Sequence, residues 1–195
     1  LPKKRKKKNQ ITNLFQLKMR SARQEILNKL KQAVHKMPEE PDFITPVYHS
    51  IKEPLYLFFK ENLEKVNGSV YICNSEQEIF KELKVFLKGY NKNQVVCKEE
   101  DIKNQLSKQN IAYSQAEILP KSIEVGITSC EYLIAHTGSV MVSSAQKGGR
   151  QMFVYPPVHI VIANKNQLVD YLEQAYSKIQ EKYKDGLPSQ IALIT

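Results

Sequence analysis

The residues best suited to chemistry fall between Val125 and Ala163, in the run VGITSCEYLIAHTGSVMVSSAQKGGRQMFVYPPVHIVIA. His136 stands just before Thr137-Gly138, where an imidazole on a turn can serve as a general base or bind a ligand. A plain turn-flanking polar residue would look the same. Glu131 is the only acid in this run, so acid/base chemistry confined to it falls to Glu131 or a histidine. Thr137, Ser139, Ser143 and Ser144 offer hydroxyls, and Gly138 can expose backbone N–H groups to an anion. Lys147-Gly148-Gly149-Arg150 joins flexibility to two cations, and Arg150 can grip a carboxylate or phosphate in bidentate fashion; a solvated basic loop reads identically. His159 follows Pro156-Pro157 inside an apolar run, which suits a core histidine or one facing a ligand. Cys130 precedes Glu131 without any neighbour that would activate a thiolate.

Other chemistries lack their motifs. There is no Cys-x-x-Cys, no histidine pair at helical spacing, no Walker loop and no Rossmann glycine triplet, so no metal site is expected, and any cofactor is unknown. Cys73, Cys97 and Cys130 are odd in number and set in apolar surroundings, which fits reduced thiols and the cytoplasm. No apolar run approaches the 18 or so residues of a membrane span, and no membrane association is expected. The net charge of +9 points first to nucleic acid, but seven of the 29 basic residues lie in residues 1–18, where there is no acid. The rest of the chain is near charge balance, so nucleic-acid binding is a minor reading confined to that tail.

Around this run the scaffold reads in order. Residues 1–18 form a basic tail, either disordered or upstream of a true start at Met19. Ala22, Ile26, Leu30, Ala33 and Val34 recur at spacings of 3 and 4, which predicts a helical arm over 19–36, suited to a homo-oligomer contact or to capping its own sheet. Pro38, Pro41 and Pro46 make 37–53 an extended linker. The domain proper is expected over 54–195. Pro54 opens a helix carrying Leu55, Phe58, Phe59 and Leu63 and closed by Gly68. A strand over Ser69 to Cys73 follows, then a helix capped by Ser75 with Glu78. Val95 to Cys97 reads as a strand and Asp101 to Gln109 as a helix. Tyr132 to Ala135 and Val140 to Val142 read as strands about a glycine turn, and Val158 to Ala163 as a buried strand. Leu168, Leu172, Ala175, Tyr176 and Ile179 predict a helix, and Ile191 to Ile194 a strand that stops so abruptly that further chain is expected after Thr195. The alternation predicts an α/β fold, a mainly parallel sheet flanked by helices, with ligands gathered beyond the strands' carboxyl ends.

Several of these segments together resemble the LUD-domain proteins, the lactate-utilisation protein C (LutC/YkgG-like) family. Met19-Arg20-Ser21-Ala22-Arg23 resembles its opening helix and Val125-Gly126-Ile127-Thr128 its Val-Gly-x-Thr strand. Ile134-Ala135-His136-Thr137-Gly138-Ser139 resembles its Ile-Ala-Glu-Thr-Gly-Thr turn, and Ser143-Ser144, Gly149-Arg150 and Pro156-Pro157-Val158-His159 the segments that follow. His136 stands where Glu is usual and Ser139 where Thr is usual, so a role for that carboxylate does not carry over. The resemblance implies a NagB/RpiA/CoA-transferase-like layered fold and a part in oxidising L-lactate to pyruvate beside iron-sulphur partner proteins. With no cysteine cluster of its own, the chain would be an accessory subunit binding a small anionic metabolite or cofactor. Thr128 and the Pro157 to His159 strand start then join Thr137, Gly138, Ser139, Ser143, Ser144, Gly148, Gly149 and Arg150 as the expected ligand site. The alternative is a stand-alone enzyme, a sugar-phosphate isomerase, acyl-CoA transferase or folate cyclo-ligase, with His136 or Glu131 as acid/base.

Overall fold

The computed structural model describes residues 22–33, 38–42, 48, 50–116 and 118–195. The basic tail and the true-start question lie outside these residues. The chain separates into two compact units, Leu1–His49 and Ser50–Thr195. In the first, residues 22–32 form a helix, α1, with Ile26 and Leu30 exposed on it. Of the proline-rich stretch, the described residues 38–42, 48 and 50–53 are neither helix nor strand.

The second unit opens with α2 (Leu55–Lys65), with Pro54 at its N-cap, where a missing N–H costs nothing. It buries Phe59 and partly buries Leu55, Phe58 and Leu63. The helix closes one residue earlier than Gly68 suggests: Asn67 takes the left-handed conformation (φ 66°), while Gly68 N–H bonds Leu63 O and Asn67 N–H bonds Glu64 O. These two bonds satisfy carbonyls of the last turn. Helix α3 (Glu76–Phe86) is capped by Ser75 Oγ accepting from Glu78 N–H, and Glu78 reaches back to Asn74 N–H.

The strand expected over Ser69 to Cys73 does not form. Val70 packs into the core, but Tyr71 and Ile72 are exposed and the segment pairs with no strand. Strand preference is realised only where a partner strand offers a ladder, and this segment joins none.

Strands β1 (Val95–Cys97), β2 (Val125–Thr128) and β5 (Val158–Val161) form a three-stranded parallel sheet in the order β1-β2-β5. β2 is central and wholly buried, while β5, expected to be buried, is only half-buried because it is an edge. One face packs Val95, Cys97, Val125 and Ile127 on Phe80 and Leu83 of α3 and on Ile102 and Leu106 of α4 (Glu100–Lys108). On the other face Gly126 leaves room for Pro156: a methyl group there would lie 2.6 Å from Pro156 Cγ.

The rest of the chain builds a second sheet, in the order β6-β3-β4-β7, with β3 (Tyr132–Ile134), β4 (Ser139–Ser143), β6 (Leu168–Val169) and β7 (Ile191–Ile194). Here only β3 and β6 run parallel; the β3-β4 hairpin and the β4-β7 pair are antiparallel. Leu168 therefore belongs to a strand, and the expected helix begins later, as α5 (Leu172–Lys182). The edge of β3 needs a ladder partner, and Leu168-Val169 supplies it before the helical period starts. Val161 meets Ala135, Val140 and Val142 in one cluster between the sheets, and Ile134 and Met141 face Ala175 and Ile179 of α5 in another. The fold is thus mixed α/β, a parallel sheet flanked by helices, with a mixed second sheet that alternation alone did not reveal. No helix among the described residues is long and apolar enough to cross a membrane.

Candidate functional site

Where β1 and β2 end side by side, the residues that follow them meet. Glu99, the N-cap of α4, accepts the backbone N–H of Ser129 at 2.9 Å through Oε1 and the Ser129 hydroxyl at 2.5 Å through Oε2. Gln146 Nε2 donates to Ser129 Oγ at 3.1 Å, and Gln146 is itself oriented by Ser143 N–H, which donates to its Oε1 at 2.9 Å. These groups border a cleft of about 230 Å³, whose further walls include Glu131, Lys147, Lys182 and Tyr183. It lies beyond the carboxyl ends of parallel strands, where the crossovers leave a crevice.

Glu131 closes one side. Its side chain is buried, and Ser143 Oγ (2.5 Å), Lys182 Nζ (2.6 Å) and Tyr183 OH (2.8 Å) all donate to its carboxylate. Burial alone would raise its pKa, but the hydrogen bonds from Lys182, Ser143 and Tyr183 and the charge of Lys182 outweigh it, and the carboxyl sits below its ordinary range. Lys182 is displaced upward: burial lowers it, and the bond to Glu131 more than compensates. A carboxylate held ionised by three donors is a structural anchor and a weak proton acceptor.

Beside the cleft, Thr128 and His159 tie β2 to β5 at 2.7 Å. The single Thr128 hydroxyl hydrogen goes to Ser129 O at 2.9 Å, so Nε2 of His159 must donate to Thr128. Burial lowers the His159 pKa, keeping the ring neutral. Gly148 is buried against Glu99 and Thr128. Cys130 lines the cleft, but burial, then the charges of Glu131 and Glu99, push its thiol up to about 12; Cys97 is pushed up to about 11, mainly by burial.

The residues singled out in the sequence divide into two groups. Glu131 lines the cleft, Ser143 and Gly148 touch residues that line it, and Thr128 and His159 stand behind these, Thr128 against Gly148 and His159 on Thr128. Ser144 and Arg150 brace another loop, Arg150 Nη2 donating to Ser189 Oγ at 2.7 Å and Ser144 N–H to Gln190 O, while Gly149 N–H bonds Gln146 O. Pro157 is exposed at the start of β5. His136, Thr137, Gly138 and Ser139 are not brought to this cleft, because β4, about 13 Å long, separates them from Ser143. Their turn packs on α2, where Asn62 Nδ2 donates to Ala135 O and His136 O. Gly138 (φ 65°) lies so close that a methyl group would meet Leu63 N at 2.4 Å. His136 rests on Tyr171, ring centroids 5.1 Å apart, and Ser139 Oγ bonds Thr195 Oγ1.

Glu99, Ser129, Gln146, Lys182 and Tyr183 escaped sequence reasoning. Glu99 and Ser129 carried one usable signal, since they lie within two residues of the carboxyl end of a parallel strand. Lys182 and Tyr183 carried none. Among the described residues no group of three or more His, Cys, Asp or Glu is gathered to hold a metal.

The LUD domain family model matches residues 58–195, which takes in both sheets and every residue of the cleft. The chain belongs to the LUD domain family. Among curated LUD relatives, lactate utilization protein C of Bacillus licheniformis is 33% identical over 73 residues, 36% of this chain and 30% of that protein. Lactate utilization protein C of Oceanobacillus iheyensis is 22% identical over 180 residues, 80% of this chain and 77% of that protein. The chain therefore matches under a third of the first relative's length and about three quarters of the second's. A DUF162 family protein from Deinococcus radiodurans, known from a 1.70 Å crystal structure, aligns with a TM-score of 0.58 at 15% identity over 72% of this chain and 85% of that one, which shows a shared fold. The resemblance read from the sequence is thus the family to which the chain belongs.

Proposed function

We propose that this LUD domain serves lactate utilisation as a ligand-binding accessory protein, holding a small anionic metabolite or cofactor in the cleft beyond β1 and β2. The relatives' names support the pathway. The observation that carries the site is the convergence of Glu99, Ser129, Gln146, Lys147 and Lys182 on one small cleft. Of the four carboxylates that line it, three are engaged from within, Glu99 by Ser129, Glu131 by its three donors and Glu100 by Lys103, and Asp101 is the fourth. Lys182 is paired with Glu131, so the Lys147 ammonium is left as the charge best able to attract an anion. Redox chemistry would come from iron-sulphur partner proteins, and the three free thiols suit the reducing cytoplasm.

A thermal-shift screen of the purified chain against L-lactate, pyruvate, sugar phosphates and acyl-CoA esters tests binding. A ligand at 100 times its Kd adds about 2.7 kcal/mol, or roughly 5–10 °C in Tm. That gain should vanish in Lys147→Ala. Loss of growth on L-lactate after deletion of the gene tests the pathway. Unchanged growth would remove it.

The alternative, an isomerase, transferase or cyclo-ligase with His136 or Glu131 as acid/base, has less support. Glu131 is committed to three donors, and β3 stands between it and His136.

A further inference from the structure

We propose that Ser129 is a nucleophile for acyl transfer and that Glu99 is the base that takes its proton. The inference goes beyond the accessory reading and does not need it. The arrangement orients every feature of the Ser129 hydroxyl. Its hydrogen points to Glu99 Oε2 at 2.5 Å, and one lone pair accepts from Gln146 Nε2 at 3.1 Å. The second lone pair is left for a reacting carbon. Glu99 cannot turn away, because its other oxygen is held by Ser129 N–H at 2.9 Å. Gln146, fixed by Ser143 N–H, is the positioning residue. A purely structural capping role needs only the backbone bond; it gives no reason to hold the hydroxyl between its acceptor and Gln146 at the wall of a cleft that carries Lys147 and Lys182 beside the carboxylates of Glu99, Glu100, Asp101 and Glu131.

The substrate class is a short-chain ester or thioester, limited by a volume of about 230 Å³. Glu99 removes the Oγ proton as Oγ attacks the acyl carbonyl carbon. Charge developing on the carbonyl oxygen faces the side of the cleft that carries Lys147 and the Gln146 amide. The C–O or C–S bond to the leaving group breaks, the leaving group takes the proton from Glu99, and an ester on Ser129 remains. Water then attacks this ester, giving its proton to Glu99. The acid departs, and the proton returns to Ser129 Oγ.

The test is exposure of the full chain to p-nitrophenyl acetate and to a fluorophosphonate probe, with peptide mass mapping and a urea-unfolded control. The expected result is an adduct on Ser129 in the folded protein only, absent in Ser129→Ala. Glu99→Gln should slow its formation about 100-fold or more, with loss of the pH dependence that a base imposes. Ser129→Cys should restore labelling if Ser129→Ala does not fold. Modification spread over lysines without Ser129, or equal labelling of unfolded chain, overturns the proposal, as does an unslowed Glu99→Gln. None of these outcomes bears on growth on L-lactate, so this proposal and the accessory reading fail separately.

Discussion

Replacing Glu131 by Gln keeps the shape of a buried side chain and removes the charge that three donors at 2.5–2.8 Å are arranged to meet. Hydrogen bonds to a charged group contribute about 1.5–3 kcal/mol each, but members of one network do not add. The Lys182 side chain is 52% exposed, so its ammonium regains water and accounts for under about 1 kcal/mol. Ser143 is wholly buried and Tyr183 partly so, and they supply most of the loss. The expected cost is about 3 kcal/mol, a fall in Tm of roughly 6–12 °C. Thermal and urea unfolding followed by circular dichroism measure it. Lys182→Met should cost under about 1 kcal/mol in the same assay. The pH dependence has a definite sign. The folded carboxyl lies below its ordinary value of 4.5, so the advantage of wild type over Glu131→Gln is complete above that pH and shrinks as pH falls through the depressed folded value. The reasoning fails if Lys182→Met is as damaging as Glu131→Gln, or if the difference between wild type and Glu131→Gln grows in acid.

Gly138→Ala combines a left-handed backbone with a methyl group 2.4 Å from Leu63 N, and should cost about 3 kcal/mol or more, read as a drop in Tm. Ser75→Ala removes the acceptor for Glu78 N–H at the start of α3 and should cost about 1 kcal/mol by urea titration. Cys130 and Cys97, with thiols pushed up to about 12 and 11, should resist iodoacetamide at neutral pH until the protein is unfolded, as mass spectrometry would show. The neutral, half-buried His159 lowers stability as pH drops below 6.5, because the unfolded ring then binds protons that the folded one does not. His159→Gln should abolish that part of the pH profile.

What could be read from the sequence was whatever a local pattern dictates. Helices α2 to α5 and strands β1, β3, β4, β5 and β7 each carry their own periodicity or cap and were found within a few residues, whereas β2 was read as a strand only through the family resemblance. The β3-β4 hairpin was visible because Gly138 lies between two apolar β-branched runs. The failures are non-local. Ser69 to Cys73 has strand composition but no ladder to join, and Leu168 has helical spacing but is claimed by the edge of β3. The candidate site divides the same way. Glu131 and His159 stood out as lone chemical residues in an apolar run. Lys182 reaches Glu131 across 51 positions and Glu99 reaches Ser129 across 30, and no spacing rule encodes such meetings.

The segment Thr128 to Glu131 explains why cleft and fold cannot be perturbed separately. In four residues the chain leaves the parallel sheet and enters the mixed one, and every residue is tied to a different element. Thr128 holds His159 of β5, and Ser129 holds Glu99 after β1. Cys130 O accepts from Gln167 beside β6 at 2.6 Å, and Glu131 gathers β4 and the end of α5. A bend pinned from four directions gives the Ser129 hydroxyl a precision that a free loop would not supply. It also transmits strain: a residue that no longer holds Thr128 or Glu131 relaxes the backbone on either side of Ser129. A substitution at His159, which does not line the cleft, should therefore weaken binding there along with stability, whereas Arg150, which braces Ser189 instead, should affect stability alone.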